Sequence, residues 1–285
     1  MTAVCETLGV ARSNVARRVV QGPSKRQGRP AQPEEPLVSE IMAVIAEMPS
    51  YDYPRVWAVL RRRSEARGAP SANRKRVYRI MKKHGLLLQK HAGGHAERQH
   101  DGRVAVEQSN LRWCSDGFEF ACDNAERVRV AFALDCCDRE AMSHVATTAG
   151  IKSDDIRDLM VTAVDQRFSR LNRLPTTIEW LTDNGSCYTA ADTRRFAREI
   201  GLLSLHTPIE SPQSNGMAEA FERTFKRDYV AFNPKPDAAT VIQSLPIWFE
   251  HYNALHPHRA LGYRSPREFI ALKANPTGEV ALSEN

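Results

Sequence analysis

Three acidic residues stand in settings that could do chemistry: Asp116 in Trp-Cys-Ser-Asp, Asp183 in Leu-Thr-Asp-Asn-Gly and Glu219 in Asn-Gly-Met-Ala-Glu. If folding brings them together, their hard oxygens suit Mg²⁺ or Mn²⁺. Two such ions about 3.5–4 Å apart would clamp the attacking and leaving oxygens of a phosphodiester exchange. Without an ion the cluster repels itself. Taken singly, each acid reads more simply as a surface residue or a cap, so the case rests on tertiary convergence.

The elements that must position them follow from period and turn chemistry. Leu111–Ser115, Phe118–Cys122 and Val128–Leu134 read as strands, with Asp123-Asn124 as the turn between the last two. A helix with Ile156, Leu159, Met160 and Val164 follows, then a strand over Thr177–Leu181 and a helix around Thr193–Ile200. After Ser211-Pro212 a long helix is expected from near Gly216 to Tyr229. This is a mixed α/β domain with an antiparallel edge. It places Asp116 at the end of the first strand, Asp183 just past a later one and Glu219 early in a helix. Asn184 and Gly185 let the chain turn sharply and hold the Asp183 carboxylate outward. Glu219, Arg223 and Lys226 share a helix face, so two cations lie beside the acids where a DNA backbone could be received. The simpler reading of Glu219 and Arg223 is an ordinary i,i+4 pair worth about 0.3–0.5 kcal/mol.

The net charge of +6 hides an asymmetry. Residues 1–110 hold 20 Lys/Arg against 10 Asp/Glu, and residues 111–285 hold 20 against 24. A basic module is therefore joined to a mildly acidic one, which favours a polyanionic partner without choosing among DNA, RNA and an anionic membrane. Residues 37–90 carry a helical period. Leu37, Ile41, Val44, Ile45 and Met48 form a first helix stopped at Pro49, and Pro54 to Arg67 a second with Val56, Val59 and Leu60 inward. A third starts near Asn73, buries Val77, Ile80 and Met81, and ends at Gly85. Its other faces carry Arg74, Lys75, Arg76, Arg79, Lys82 and Lys83, as in a helix-turn-helix module. Charge runs on helices are commonly just solvated faces. Here residues 51–90 hold 12 Lys/Arg with Asp52 and Glu65 as the acids, which leaves little local salt-bridge support and favours nucleic acid.

The rest bounds the setting. Residues 1–20 could form a short helix with Leu8, Val10 and Val15 as apolar contacts, and four Pro and two Gly within 21–36 mark a linker. Six cysteines at uneven spacing, none in Cys-x-x-Cys, point to a reducing interior and no structural zinc. No secretory pattern and no apolar run near the roughly 20 residues of a bilayer span leave the cytoplasm as the default. His251, His256 and His258 are better read as caps or DNA contacts than as metal ligands, and Arg259, Arg264 and Arg267 as DNA-facing. Asp135 and Asp138 read as turn and helix-start residues, and Cys136 and Cys137 as packing groups.

Five segments carry a resemblance: 112–117 (Arg-Trp-Cys-Ser-Asp-Gly), 132–140, 181–188 (Leu-Thr-Asp-Asn-Gly-Ser-Cys-Tyr), 211–219 (Ser-Pro-Gln-Ser-Asn-Gly-Met-Ala-Glu) and 256–269. In order and spacing, with 35 residues between Asp183 and Glu219, they resemble the integrase-type transposases of bacterial insertion sequences, in the downstream-reading-frame product. The resemblance covers about residues 40–272. It implies an α/β fold, a ribonuclease-H-like mixed sheet flanked by helices and preceded by a small all-helical helix-turn-helix domain. The implied organisation is 1–36 N-terminal helix and linker, 37–90 DNA-binding domain, 91–110 linker, 111–235 catalytic core, 236–272 helical extension and 273–285 tail.

It further implies Asp116, Asp183 and Glu219 as ligands of Mg²⁺ or Mn²⁺, two ions per site, with Asn184, Gly185, Asn215 and Gly216 supporting them. One such site nicks DNA at an element end and then lets the freed 3′ hydroxyl attack another phosphodiester, with no covalent protein intermediate. Implied partners are double-stranded DNA at element ends and target, further copies of the chain in a synaptic complex, and the upstream-frame product or a fusion with it, in a bacterial cytoplasm at the nucleoid. A nuclease of the same fold without strand transfer, and a DNA-binding accessory or inhibitor of transposition, remain the alternatives.

Overall fold

Near residue 111 the hydrophobic period changes from that of a helix to that of a strand, and the structure changes with it. The computed structural model describes residues 6, 7, 9, 33–89, 104–169, 173–206 and 216–275. The expected N-terminal helix, most of both linkers, Ser211-Pro212, Asn215 and the tail beyond 275 lie outside the described residues. Residues 1–37 form one unit and 38–285 another.

Three helices come first: α1 (Glu35–Glu47), α2 (Tyr53–Ala66) and α3 (Arg74–Lys83). The Asp52 carboxylate caps α2 by accepting from the Arg55 N–H (3.3 Å), with Pro54 in the first turn where no N–H is missed. Asn73 caps α3 by accepting from the Lys75 N–H (2.8 Å), and Gly85 takes the left-handed φ of 66° beyond its end. Ile41, Val44, Val56, Leu60, Val77, Ile80 and Met81 are buried among them.

The sheet has the order β3-β2-β1-β4-β5, from β1 (Arg112–Ala121), β2 (Arg127–Asp135), β3 (Ala141–Thr147), β4 (Ile178–Thr182) and β5 (Leu202–His206). The first three pair antiparallel, while β4 and β5 run parallel to β1, so β1 lies in the centre of a ribonuclease-H-like mixed sheet. Two expectations change here. Leu111–Ser115 and Phe118–Cys122 are one unbroken strand, because β2 pairs with it continuously from Trp113 to Ala121 and carries Gly117 through the ladder. Asp116 therefore sits in mid-strand and not at a strand end. Strands β3 and β5 are not foreshadowed by the hydrophobic period.

Side chains of β1 alternate between two packed faces. On one face Trp113 joins Ala131, Ala133, Trp180, Leu202 and the inner side of α4 (Ser153–Phe168), and Ala197 of α6 (Ala191–Ile200) closes the layer. Between β4 and α6 lies the short helix α5 (Ser186–Thr189). On the other face Phe118 and Phe132 meet α7 (Gly216–Phe225): Phe132 and Phe221 are 4.3 Å apart between ring centroids, Phe118 and Phe225 5.7 Å. Helix α7 continues as a π-helical turn, Lys226–Val230. Then come α8 (Ala238–Ala254), a 3₁₀ turn at Arg259–Leu261 and α9 (Pro266–Ala274). Among the described residues no helix is long and apolar enough to cross a membrane.

The β2–β3 turn contains a buried ionic cluster. Asp135 and Asp138 are inaccessible to solvent and Glu140 nearly so. Arg167, at the end of α4, reaches Asp138 at 2.7 Å, Glu140 at 3.3 Å and Asp135 at 3.9 Å. Asp135 also accepts from the N–H groups of Cys137 (2.7 Å), Asp138 (3.1 Å) and Asn110 (2.7 Å). It is a turn residue as expected, but Asp138 starts no helix: its carboxylate accepts from the Glu140 N–H (3.0 Å) and leads into β3. Arg167 thus answers several carboxylates taken out of water, with Arg267 also reaching Glu140 at 3.4 Å. Arg167→Met, which keeps the apolar stem and removes the charge, is expected to lower unfolding free energy by about 3–5 kcal/mol in urea titrations.

Candidate active site

Strand register brings the first two acids together. In the parallel β1–β4 pair Cys114 lies opposite Leu181, so Asp116 in β1 and Asp183, just past the end of β4, both stand two residues beyond the last pair, at the same end of the two strands. Asp116 lies opposite Phe132 in the antiparallel ladder. Because Phe221 packs on Phe132, the same contact brings α7, with Glu219 and Glu222 flanking Phe221, over the Asp116 face.

The electrostatics record this convergence. Asp116 is half-buried, and its pKa is raised to about 6. Burial is the largest cause; the Gly117 N–H, donating to Oδ1 at 2.8 Å, opposes it, and the charges of Asp183, Glu222 and Glu219 add to it. The three expected acids thus share one electrostatic field with a fourth, Glu222. They do not yet share a coordination sphere: among the described residues no three His, Cys, Asp or Glu side chains stand close enough to hold an ion between them. The donor set fits a hard divalent cation in chemistry, being all carboxylate.

Each aspartate is held by local chemistry. The Gly185 N–H donates to Asp183 Oδ1 (3.0 Å), closing a tight turn. A Cβ at position 185 would lie 3.0 Å from that oxygen, which explains the glycine. Asn184 is exposed, and Gly216 opens α7. The Thr182 hydroxyl donates to the Asp183 carbonyl (3.0 Å), leaving its oxygen to accept from His206 Nδ1 (3.2 Å) across the β4–β5 pair. Ser115 Oγ and Tyr188 OH are 2.9 Å apart and buried, tying the strand under Asp116 to the helix just after Asp183. Sequence reasoning missed Glu222, Tyr188 and His206. A signal existed for Glu222, which stands one helical turn from Glu219.

The expected DNA contacts divide by what already holds them. Lys75, Arg79, Lys82 and Lys83 of α3 are exposed, and Arg76 is half-buried. The Arg74 guanidinium instead stacks on the rings of Tyr263 (4.9 Å), Tyr53 (5.4 Å) and Trp57 (5.9 Å). Arg223 is exposed, while Lys226 pairs with Glu222 at 2.7 Å; with Glu219 and Arg227 these line an open depression on α7. Arg259 is exposed, Arg264 half-buried, and Arg267 engages Glu250 and, at 3.4 Å, Glu140. The low salt-bridge support expected around α2 is corrected. Acids distant in sequence supply it: Glu47 to Arg63 (2.6 Å), Glu40 to Arg67 (2.8 Å) and Glu268 to Arg62 (2.5 Å).

The histidines are also corrected from caps or DNA contacts to packing groups. His256 is buried with Nδ1 3.0 Å from Tyr51 OH, and His251 Nδ1 lies 2.9 Å from Tyr229 OH. Burial lowers the pKa of both, and that of His258 to about 3, so burial favours the neutral ring in each.

Residues 106–212 match one integrase core domain family, residues 204–266 a second, and residues 32–92 the HTH-like domain family. The chain is 56% identical over 240 residues to Transposase InsD for insertion element IS2A/D/F/H/I/K of Escherichia coli, covering 84% of this chain and 79% of that protein. Transposase InsD for insertion element IS2-9 of Escherichia coli K12 is likewise 56% identical, with 84% and 78% covered. Among solved structures, the catalytic core domain of BIV integrase aligns at 20% identity with a TM-score of 0.41, over 59% of this chain and 97% of that one.

The raised pKa of Asp116 has a thermodynamic consequence in metal-free protein. Its folded pKa of about 6 exceeds the ordinary carboxylate value, so the folded state holds a proton that the unfolded state releases between about pH 4 and 6. Stability falls across that window and stays low above it. Asp116→Asn keeps an acceptor for Gly117 and removes the charge. In chelator, the variant is expected to gain about 2 kcal/mol over the parent at pH 8 and nothing below about pH 4, read from urea unfolding at the two pH values.

Proposed function

This chain belongs to the family of insertion-element transposases, and on that premise we propose that Asp116, Asp183 and Glu219 form the metal-holding site at which DNA strands are cut and then joined. The observation that carries the reading is the position of Asp116 in mid-β1, opposite Phe132 and beneath the helix that bears Glu219; burial first, and then the charges of Asp183, Glu222 and Glu219, raise its pKa there. Carboxylates from a central strand, the end of its neighbour and a helix across the sheet are brought together against their own repulsion, at a cost to the metal-free fold. Bound there, Mg²⁺ or Mn²⁺, two ions per site, would offset that charge, polarise the scissile phosphodiester and activate water or a 3′ hydroxyl as nucleophile.

The protein's own residues supply position. Asp116 is fixed by the antiparallel ladder with β2, two residues beyond the last β1–β4 pair, and Asp183 by its turn with Gly185. Glu219 enters from the first turn of α7. One turn on, Arg223 and Lys226 are placed to take phosphate oxygens, with Lys226 passing from Glu222 to the DNA. The exposed Lys75, Arg79 and Lys82 give α3 its phosphate contacts, which position a duplex without by themselves reading its sequence. Cutting and joining two ends calls for at least two copies of the chain, and the upstream-frame product is the partner that would add end recognition.

Three experiments test the reading. Purified protein, alone and with the upstream-frame product, is expected to nick and join element-end duplexes with Mg²⁺ or Mn²⁺, and Asp183→Asn to abolish both steps while binding persists. Full activity in that variant overturns the site. Joined product from pre-cleaved ends with a free 3′ hydroxyl separates a transposase from a simple nuclease. Replacing Lys75, Arg79 and Lys82 by Ala is expected to weaken binding to all duplexes alike and to flatten the log–log salt slope by about 0.9 for each phosphate no longer neutralised.

A further inference from the structure

We propose that residues 255–268 form a clasp that locks the helix-turn-helix-like module to the catalytic sheet, so that the phosphodiester cut is set by where α3 sits on the duplex, with Arg62 as the positioning residue. This rests on the transposase reading above for its consequence at DNA, though not for the clasp itself.

Three contacts from the helical module converge on this one stretch. The Arg62 fork donates to both Glu268 oxygens (2.6 and 2.5 Å), and its remaining nitrogen donates to the Leu255 carbonyl (2.8 Å). Glu268 is itself fixed at the start of α9, where it accepts from the Ser265 N–H (2.7 Å) in a capping box. Arg74, on the first turn of α3, lies over the Tyr263 ring. Tyr51, between α1 and α2, meets buried His256.

The backbone of the clasp is unusual in a way that serves these contacts. Gly262 and Tyr263 both take left-handed φ values, 65° and 61°, and the turn is closed by N–H groups of His258 and Tyr263 bonding to the carbonyls of Arg264 (2.9 Å) and His258 (2.7 Å). A bulky residue rarely accepts that conformation. Here it puts the Tyr263 ring against Arg74.

The far side of the clasp reaches the catalytic helix. His256 Nδ1 lies 3.8 Å from buried Asp228 in the π-helical turn, which continues directly from the helix that carries Glu219. Recognition helix, clasp and catalytic helix therefore form one connected set of buried or paired groups, although residues 84–111 separate α3 from β1 in sequence. Modules within one chain ordinarily move relative to each other unless their interface prevents it. A bidentate Arg–carboxylate pair with a third bond to backbone fixes orientation in a way that a single ammonium does not.

The test uses the full chain and the variants Arg62→Ala, Arg62→Lys and the exchange of Arg62→Glu with Glu268→Arg. In metal-free protein, amide exchange in α1–α3 is expected to rise about tenfold or more in Arg62→Ala and Arg62→Lys while that of β1 and β2 holds, and the exchanged pair to restore it. On a duplex carrying the inverted repeat that flanks the gene, with Mg²⁺, both single variants are expected to bind as the parent does but to spread their cuts over neighbouring phosphodiesters. Unchanged exchange, or an equal rise in helices and sheet, overturns the clasp. Cuts that stay at one position while only their rate falls overturn the positioning role. If the parent never cuts, even with the upstream-frame product present, the proposed catalytic site fails, and the exchange result still decides the clasp.

Discussion

Like charges held together inside a folded chain are the constraint on which this structure turns. Asp116 projects from the middle strand of the sheet, half-buried, where Asp183 approaches from one side and Glu219 and Glu222 from another. Neither approach is driven by attraction between acids. Asp183 is brought in by the backbone ladder of the parallel β1–β4 pair, and Glu219 by the stacking of Phe221 and Phe225 on Phe132 and Phe118. The buried layer of α4 and α6 on the opposite face holds the strands that bear this load. Apolar packing on two faces thus sustains an arrangement that its own electrostatics disfavours.

What could be read from the sequence was what local chemistry writes. Asp52 and Asn73 announce helix starts because a short acceptor satisfies free N–H groups within one turn, and Gly85 announces an end because it takes a positive φ cheaply. The acids stood out through their motifs and spacing. What escaped depended on partners far along the chain. Gly117 looked like a break until β2 paired with both its neighbours, and β3 and β5 are short strands whose identity comes from the edges they occupy. Glu222 was one turn from Glu219 in plain view. Its relation to Asp116 appears only when α7 lies across the sheet.

The basic surplus of the first 110 residues teaches a related point. Counted in sequence, the cations near α2 have two acids for company. Folded, Arg62, Arg63 and Arg67 find Glu268, Glu47 and Glu40, and Arg74 finds three aromatic rings. These cations hold the protein together, and those left at the surface of α3 carry the field a polyanion would meet. Net charge sets the sign of the partner; only the fold says which side chains face it.

Each acid of the site is also partly compensated by its own neighbourhood, and the remainder is informative. Asp116 accepts from the Gly117 N–H, Asp183 from the Gly185 N–H, and Glu219 lies in the first turn of α7, where unpaired N–H groups favour negative charge. Such donors orient a carboxylate while taking only part of its charge. At the next turn of the same sheet Asp135, Asp138 and Glu140 are instead answered by a buried cation, Arg167 from α4, and that cluster serves the fold. Beside Asp116 the pairing seen on α7 is of another kind: Lys226 meets Glu222 at 2.7 Å on a partly exposed face, where the ammonium can exchange one anion for another. On the proposed reading, a divalent ion would answer the acids that this pair leaves.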